Sequence, residues 1–172
     1  LSYSEIVKEA EKSVPFASFI NPDAPCFANP ESMIDTIKNY CKETDQIIPV
    51  TIGEIARCIY ESLALRYKQV LENLQKLAEF PIQTLHIIGG GSKNNMLNQF
   101  TANAIGIKVV TGPSEATAMG NILMQAKAAG FVKSTEEIRH ITRNSCVLEE
   151  FKPSYTEEWN AQYKRYLNVY IG

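Results

Sequence analysis

Three consecutive glycines, Gly89, Gly90 and Gly91, run into Ser92, Lys93 and Asn94 within LHIIGGGSKNNMLNQF, residues 85–100. Glycine is costly in chain entropy, and a plain turn needs only one or two of them. Here the run separates a short apolar segment from a helix-forming one. At such a junction the free N–H groups of the first helical turn and the helix dipole favour an anion. With no side chains in the way, a phosphate or a flat base could lie against the backbone. A tight turn without any ligand uses the same residues, so the run alone leaves both readings open.

Two familiar nucleotide motifs do not fit. A P-loop needs GxxxxGK[ST], whereas Ser92 precedes Lys93 here and no hydroxyl residue follows that lysine. A dinucleotide fingerprint needs a third glycine three residues on, where Asn94 stands, and an acidic residue closing the next strand, which KVVTGP lacks. Cys26, Cys41, Cys58 and Cys146 contain no CxxC pair, and His86 and His140 are far from them, so no zinc spacing exists. Cys41 and Cys58 sit near the junction of two consecutive helices, which makes them the candidate disulfide. The alternative is core filling by reduced thiols. Asp23 and Asp35 have nothing to single them out as a general base.

The elements that must position the loop are mostly helices. Tyr3, Ile6, Val7 and Ala10 recur at helical spacing from the first residues. An irregular stretch with four prolines follows, and a segment this long is usually packed on a surface or functional. Asn29 and Pro30 predict the start of a helix with Met33, Ile34, Ile37 and Cys41 on its apolar stripe. Thr51 and Glu54 form a capping box that opens the longest helix, about residues 52–79, as a spine of the domain. Residues 85–88 predict a strand, and Ser92 the cap of a helix over 94–105 ended by Gly106. IKVVTG predicts a second strand, parallel to the first. Pro113 and Ser114 open a further helix closed by Gly130, with Glu115 as a dipole partner in its first turn and Gly120 allowing close helix packing. Ser134 and Glu137 repeat the capping box. Trp159, Tyr163, Tyr166 and Tyr170 form an aromatic stripe, a docking surface, on a last helix.

The chain has 172 residues and a net charge of −2, enough for one domain with a core and too little positive charge to suggest a nucleic-acid partner. No apolar run nears the ~18 residues a membrane span needs. Together with the cysteine usage this predicts a cytoplasmic protein. The chain opens on a helical pattern without Met, and two strands make too small a sheet. Both observations predict a piece truncated on its N-terminal side, with partner strands upstream of Leu1.

The stretch LHIIGGGSKNNMLNQFTANAIGIKVVTGPSEATAMGNI, with ARCIYESLALRY before it, resembles the C-terminal domain of the FGGY carbohydrate kinases. The resemblance covers essentially the whole chain and is strongest to the branch acting on rhamnulose. It implies a helix-rich α/β fold, part of an actin-like ATPase (ribonuclease H-like) domain, with two parallel strands and about seven helices. Residues 1–172 would be the C-terminal kinase domain. It implies an ATP-dependent enzyme that passes phosphate to a ketose with Mg²⁺, the loop lying beside the adenosine and inner phosphates. Gly90 would set its backbone against the nucleotide, Asn94 would donate from its side-chain amide, and Gly89, Gly91 and Ser92 would shape the loop. Simple helix capping is the alternative for Asn94. The catalytic Asp, the sugar contacts and most of the metal-organising groups would belong to segments N-terminal to this chain. No catalytic residue is therefore expected in it, and the chain alone is expected to be inactive. Other FGGY kinases, acting on xylulose, fuculose or glycerol, and a non-catalytic nucleotide-sensing module are the alternatives.

Overall fold

The computed structural model describes residues 1–169, so Tyr170 lies outside the described residues. Seven α-helices are present among them: α1 (Tyr3–Lys12), α2 (Met33–Glu43), α3 (Ile52–Leu77), α4 (Asn95–Ile105), α5 (Ala116–Ala128), α6 (Thr135–Ser145) and α7 (Thr156–Val169). Three short strands accompany them, β1 (Thr84–Ile87), β2 (Lys108–Thr111) and β3 (Glu150–Phe151).

Local chemistry sets most of the helix starts. The hydroxyl of Thr51 accepts from the Glu54 N–H, and the Glu54 carboxylate accepts from the Thr51 N–H at 2.8 Å. The Thr51 and Val50 N–H groups, both donating to it, hold the Glu54 carboxyl below its ordinary value. Ser2 and Glu5 make the same reciprocal cap on α1. One of these expected starts shifts, and one cap is only partly made. The N-cap of α2 is Ser32, whose hydroxyl accepts from Asp35, and not Asn29 with Pro30. On α6 the box is half made, because Glu137 reaches the Lys133 N–H instead of Ser134.

The spine α3 is buried along its first half only, through Ile55, Ala56, Cys58, Tyr60, Glu61, Ser62, Ala64 and Leu65. Helix α1 crosses it so closely at Gly53 that a Cβ there would lie 2.5 Å from the Glu9 carbonyl oxygen. Helix α4 packs on another side of α3, and α7 seals the end with Trp159, Tyr163 and Tyr166 against Phe16, Phe19 and Leu65. Trp159 meets Phe16 edge-on at 4.9 Å between ring centroids.

The proline-rich stretch is a buried strap. Phe16, Ser18, Phe19, Ile20 and Asn21 are all buried although none is in a helix or strand. Its backbone polar groups are met by side chains, as buried groups must be. Glu61 accepts from the Phe16 N–H at 2.8 Å, Ser62 from Ile20 at 2.9 Å, and Gln46 pairs with both polar groups of Phe19. Arg57 holds Glu61 at 2.7 Å and reaches the carbonyls of Ala10 and Ser13. Burial pushes the Glu61 carboxyl up to about 7, with Arg57 and the Phe16 N–H pulling the other way.

The sheet corrects one expectation. Strands β1 and β2 are parallel, Thr84 facing Lys108 and Ile87 facing Thr111. A third strand adds to the far side of β2, antiparallel, with Val109 opposite Phe151. One partner strand is therefore downstream in this chain. Ala102 and Ile105 of α4 cover one face of the sheet over Val109, Leu85 and Ile87.

Candidate functional site

The glycine run leaves β1 and turns at once. Gly89 has φ +80°, a conformation that side chains rarely adopt, and its N–H donates to the Pro113 carbonyl at 3.1 Å. Gly112 returns a bond from the other loop, its N–H donating to the Ile87 carbonyl at 2.7 Å. The loops after β1 and β2 are thus tied together at the C-terminal ends of two parallel strands. Gly90–Lys93 form one 3-10 turn, and α4 begins after a break at Asn94.

The three glycines are not equivalent. Only Gly89 is required by backbone geometry. At Gly90 and Gly91 φ is ordinary, and an added Cβ would meet nothing within 4 Å. A turn without a ligand therefore accounts for one glycine and leaves two unexplained. Space adjoins both sides of the loop. A polar cleft of about 470 Å³ includes Ser92, Asn95, Thr111, Ser114 and Glu115. A more apolar one of about 550 Å³ reaches Gly91, Asn98, Leu97 and Ile87 from the α3 side.

Ser92 closes the turn and does not cap the helix. Its N–H and its hydroxyl both donate to the Gly89 carbonyl, at 3.0 and 2.7 Å. The cap is Asn94, whose Oδ1 accepts from the Leu97 N–H at 3.0 Å. Capping uses only half of that amide. Asn94 Nδ2 is buried without a hydrogen-bond acceptor in good geometry, although the Tyr60 hydroxyl lies beside it. Burial is the main cause that pushes Tyr60 up to about 12, and Tyr3 adds to it. Asn94 thus caps α4, and its Nδ2 is buried toward Tyr60 and lines neither cleft.

The other residues singled out from sequence behave simply. Lys93 and His86 are exposed, the latter on β1. Glu115 is the N-cap residue of α5 with no side-chain cap bond. Gly120 meets no neighbouring helix, contrary to the packing role expected of it. Cys41 and Cys58, the candidate disulfide, are buried free thiols in this structure, close enough to influence each other, with Ser18 beside both. The interaction between the two thiols raises Cys58 and lowers Cys41. Sequence reasoning missed Asn98, fully buried one turn beyond Asn94, whose Nδ2 donates to the Ser92 carbonyl at 2.9 Å. The i, i+4 spacing from Asn94 was the available signal.

Comparison with known proteins follows from this loop and its flanking strands. Residues 2–129 match the FGGY family of carbohydrate kinases, C-terminal domain. The chain belongs to that family. Among curated FGGY relatives, it is 52% identical over 167 residues to a rhamnulokinase of Bacteroides thetaiotaomicron, covering 97% of the chain and 34% of the relative. A rhamnulokinase of Bacillus subtilis is 47% identical over 152 residues, covering 88% of the chain and 31% of the relative. A solved, ligand-bound xylulose kinase from Lactobacillus acidophilus superposes with a TM-score of 0.67 at 14% identity, over 98% of the chain and 34% of that structure. The fold is that of the FGGY kinases, the expected actin-like ATPase architecture. The chain spans about a third of the length of the curated relatives it matches.

Proposed function

We propose that this chain is the nucleotide-side C-terminal domain, residues 1–172, of an ATP-dependent kinase that converts L-rhamnulose and ATP to L-rhamnulose 1-phosphate and ADP. The observation that carries the sugar assignment is 52% identity, over nearly the whole chain, to a protein named rhamnulokinase. The nucleotide assignment is supported by Gly90 and Gly91, two glycines that the chain's own geometry does not require. Phosphoryl transfer is mainly positioning and charge stabilisation. In this reading Gly90 and Gly91 let ATP lie against the backbone, Gly89 and Ser92 hold the turn, and Asn94 caps α4 beneath it. Tying the β1 and β2 loops together fixes the cleft wall. Buried free thiols at Cys41 and Cys58, the alternative to a disulfide there, suit a cytoplasmic enzyme.

Magnesium on the ATP phosphates would neutralise charge during transfer. The described residues do not form a site for it, since no group of three or more His, Cys, Asp or Glu is placed to hold a metal. Base, sugar contacts and metal ligands are assigned to the remaining two thirds of the enzyme, and the isolated chain is expected to transfer no phosphate.

The test is ADP release by the full-length enzyme offered L-rhamnulose, xylulose, fuculose and glycerol. Turnover should be fastest with L-rhamnulose. Turnover of xylulose or glycerol alone would move the protein to another branch of the family, and ADP binding without any sugar-dependent release would make it a nucleotide-sensing module. Gly90→Val in the same enzyme should raise KM for ATP about ten-fold or more and leave KM for the sugar unchanged. Equal effects on both substrates, or none, would remove the loop from the nucleotide site.

A further inference from the structure

The bond from Asn98 to the loop has a feature that packing alone does not explain. Asn98 is completely buried, its Nδ2 donates to the Ser92 carbonyl, and its Oδ1 has no hydrogen-bond partner. An amide buried with an unmet acceptor costs stability that Ala or Leu at the same place would not lose. The cost is offset only by what the Ser92 bond secures. Ser92 is where the turn closes on Gly89, and its carbonyl sits just before the break at Asn94, whose φ −91° and ψ 88° are not helical. The donor is mounted on the rigid part of the molecule, since Met96, Thr101, Ala102 and Ile105 of the same helix are buried against α3 and the sheet.

We propose that Asn98 is the positioning residue of the glycine loop, fixing the Ser92 carbonyl and through it the turn that presents Gly90 and Gly91. It acts from beneath the loop and does not itself touch nucleotide. The proposal rests on the reading of this loop as part of an ATP site. Site geometry of this kind is kept by a supporting layer whose own side chains are locked by packing.

The test uses the full-length enzyme with Asn98→Asp, nearly the same shape but unable to donate when ionised. Thr101→Val serves as a control, because Thr101 is equally buried on α4 and its hydroxyl bonds back to the Leu97 carbonyl within the helix. Hydrogen exchange of the amides in 89–94 should accelerate about ten-fold or more in Asn98→Asp and stay unchanged in the control. KM for ATP should rise about ten-fold with KM for the sugar unchanged. Wild-type exchange in the loop overturns the proposal whatever happens to KM, and so does a parallel rise in both KM values. Faster exchange with unchanged KM for ATP overturns it too. In that case Gly90→Val decides what else falls: a raised KM for ATP keeps the nucleotide reading, and no effect removes it. If Asn98→Asp does not fold, Asn98→Ser, small and uncharged, is read by the same criteria.

Discussion

Helix α4 buries Met96, Asn98, Thr101, Ala102, Asn103, Ala104 and Ile105, whereas α5, two residues longer, buries only Leu123. Both follow a strand and a glycine-bearing loop. Helix α4 is wedged between α3 and the sheet, while α5 leaves Ile122 and Met124 more than half exposed. The same division runs along α3, covered as far as Leu65 and open at Tyr67, Val70, Leu74 and Leu77. An apolar stripe therefore says which face can be covered, and not whether this chain supplies the cover. Relatives are about three times as long as this chain. The glycine loop lies on the border between the two regions, tied at its base and open at its tip.

The largest contrast between the regions is in thiol reactivity. Cys26 is exposed, whereas Cys41 and Cys58 lie in the covered part. Cys26 should react with a thiol reagent at once, and Cys41 and Cys58 several orders of magnitude more slowly, as opening requires loss of the core. Their proximity also makes them the pair expected to join. After treatment with diamide, which takes up the two electrons and two protons, denatured protein should show two thiols fewer than the original four. Four remaining thiols would leave the pair with a core-filling role alone.

Truncation of matched leucines comes next in size. Leu65→Ala removes a fully buried side chain and should cost about 2–5 kcal/mol. Leu74→Ala, nine residues further along the same helix but half exposed, should cost under about 1 kcal/mol in this chain. Urea midpoints of the two variants measure the difference. Equal costs would mean that the second half of α3 is covered in solution.

Most of this architecture is legible in the sequence because it is written in local chemistry. Thr51 with Glu54, Gly106 in the left-handed region at φ 71° and the β1–β2 pair all follow from near-neighbour rules. Apart from the α2 cap, what was missed depends on distant partners. Strand β3 has two residues, too few for any alternation, and exists through pairing with Val109 and Val110. Ser32 took the cap of α2 from Asn29 because its hydroxyl reaches the Asp35 N–H. Glu61 and Ser62, which no local rule singles out, serve strap amides 45 and 42 positions away. Spacing did contain a hint, since Cys58, Glu61, Ser62 and Leu65 share one helix face. At the site, the run of glycines drew attention to the loop, while Asn98, which holds it, looked like any polar residue on a helix.

Glu61 gives the covered region a pH response. Its carboxyl is raised from 4.5 to about 7 in the fold. A raised acid favours the folded state in its protonated form, so this contribution is complete below about pH 4.5 and is lost as pH rises through about 7. The shift corresponds to roughly 3 kcal/mol. Thermal midpoints should therefore fall between pH 5 and pH 8, and Glu61→Gln should flatten that slope. An unchanged slope in the variant would place the response elsewhere.

The smallest effect has opposite signs in the two regions. Replacing a helical glycine by alanine gains roughly 0.5–1 kcal/mol in backbone entropy when space allows. At Gly53 space does not allow it. The new Cβ would stand 2.5 Å from the Glu9 carbonyl oxygen and 2.7 Å from its carbon, both backbone atoms of α1, so the helices must separate. Gly53→Ala should therefore lower stability by about 1–3 kcal/mol despite the entropy gain. At Gly120 nothing lies within 4 Å, and Gly120→Ala should raise the midpoint of this chain slightly. The second variant also sharpens the comparison in the full-length enzyme. If chain beyond these residues covers α5 there, the small gain should turn into a loss. A gain of the same size in both proteins would show that this face of α5 stays open after assembly.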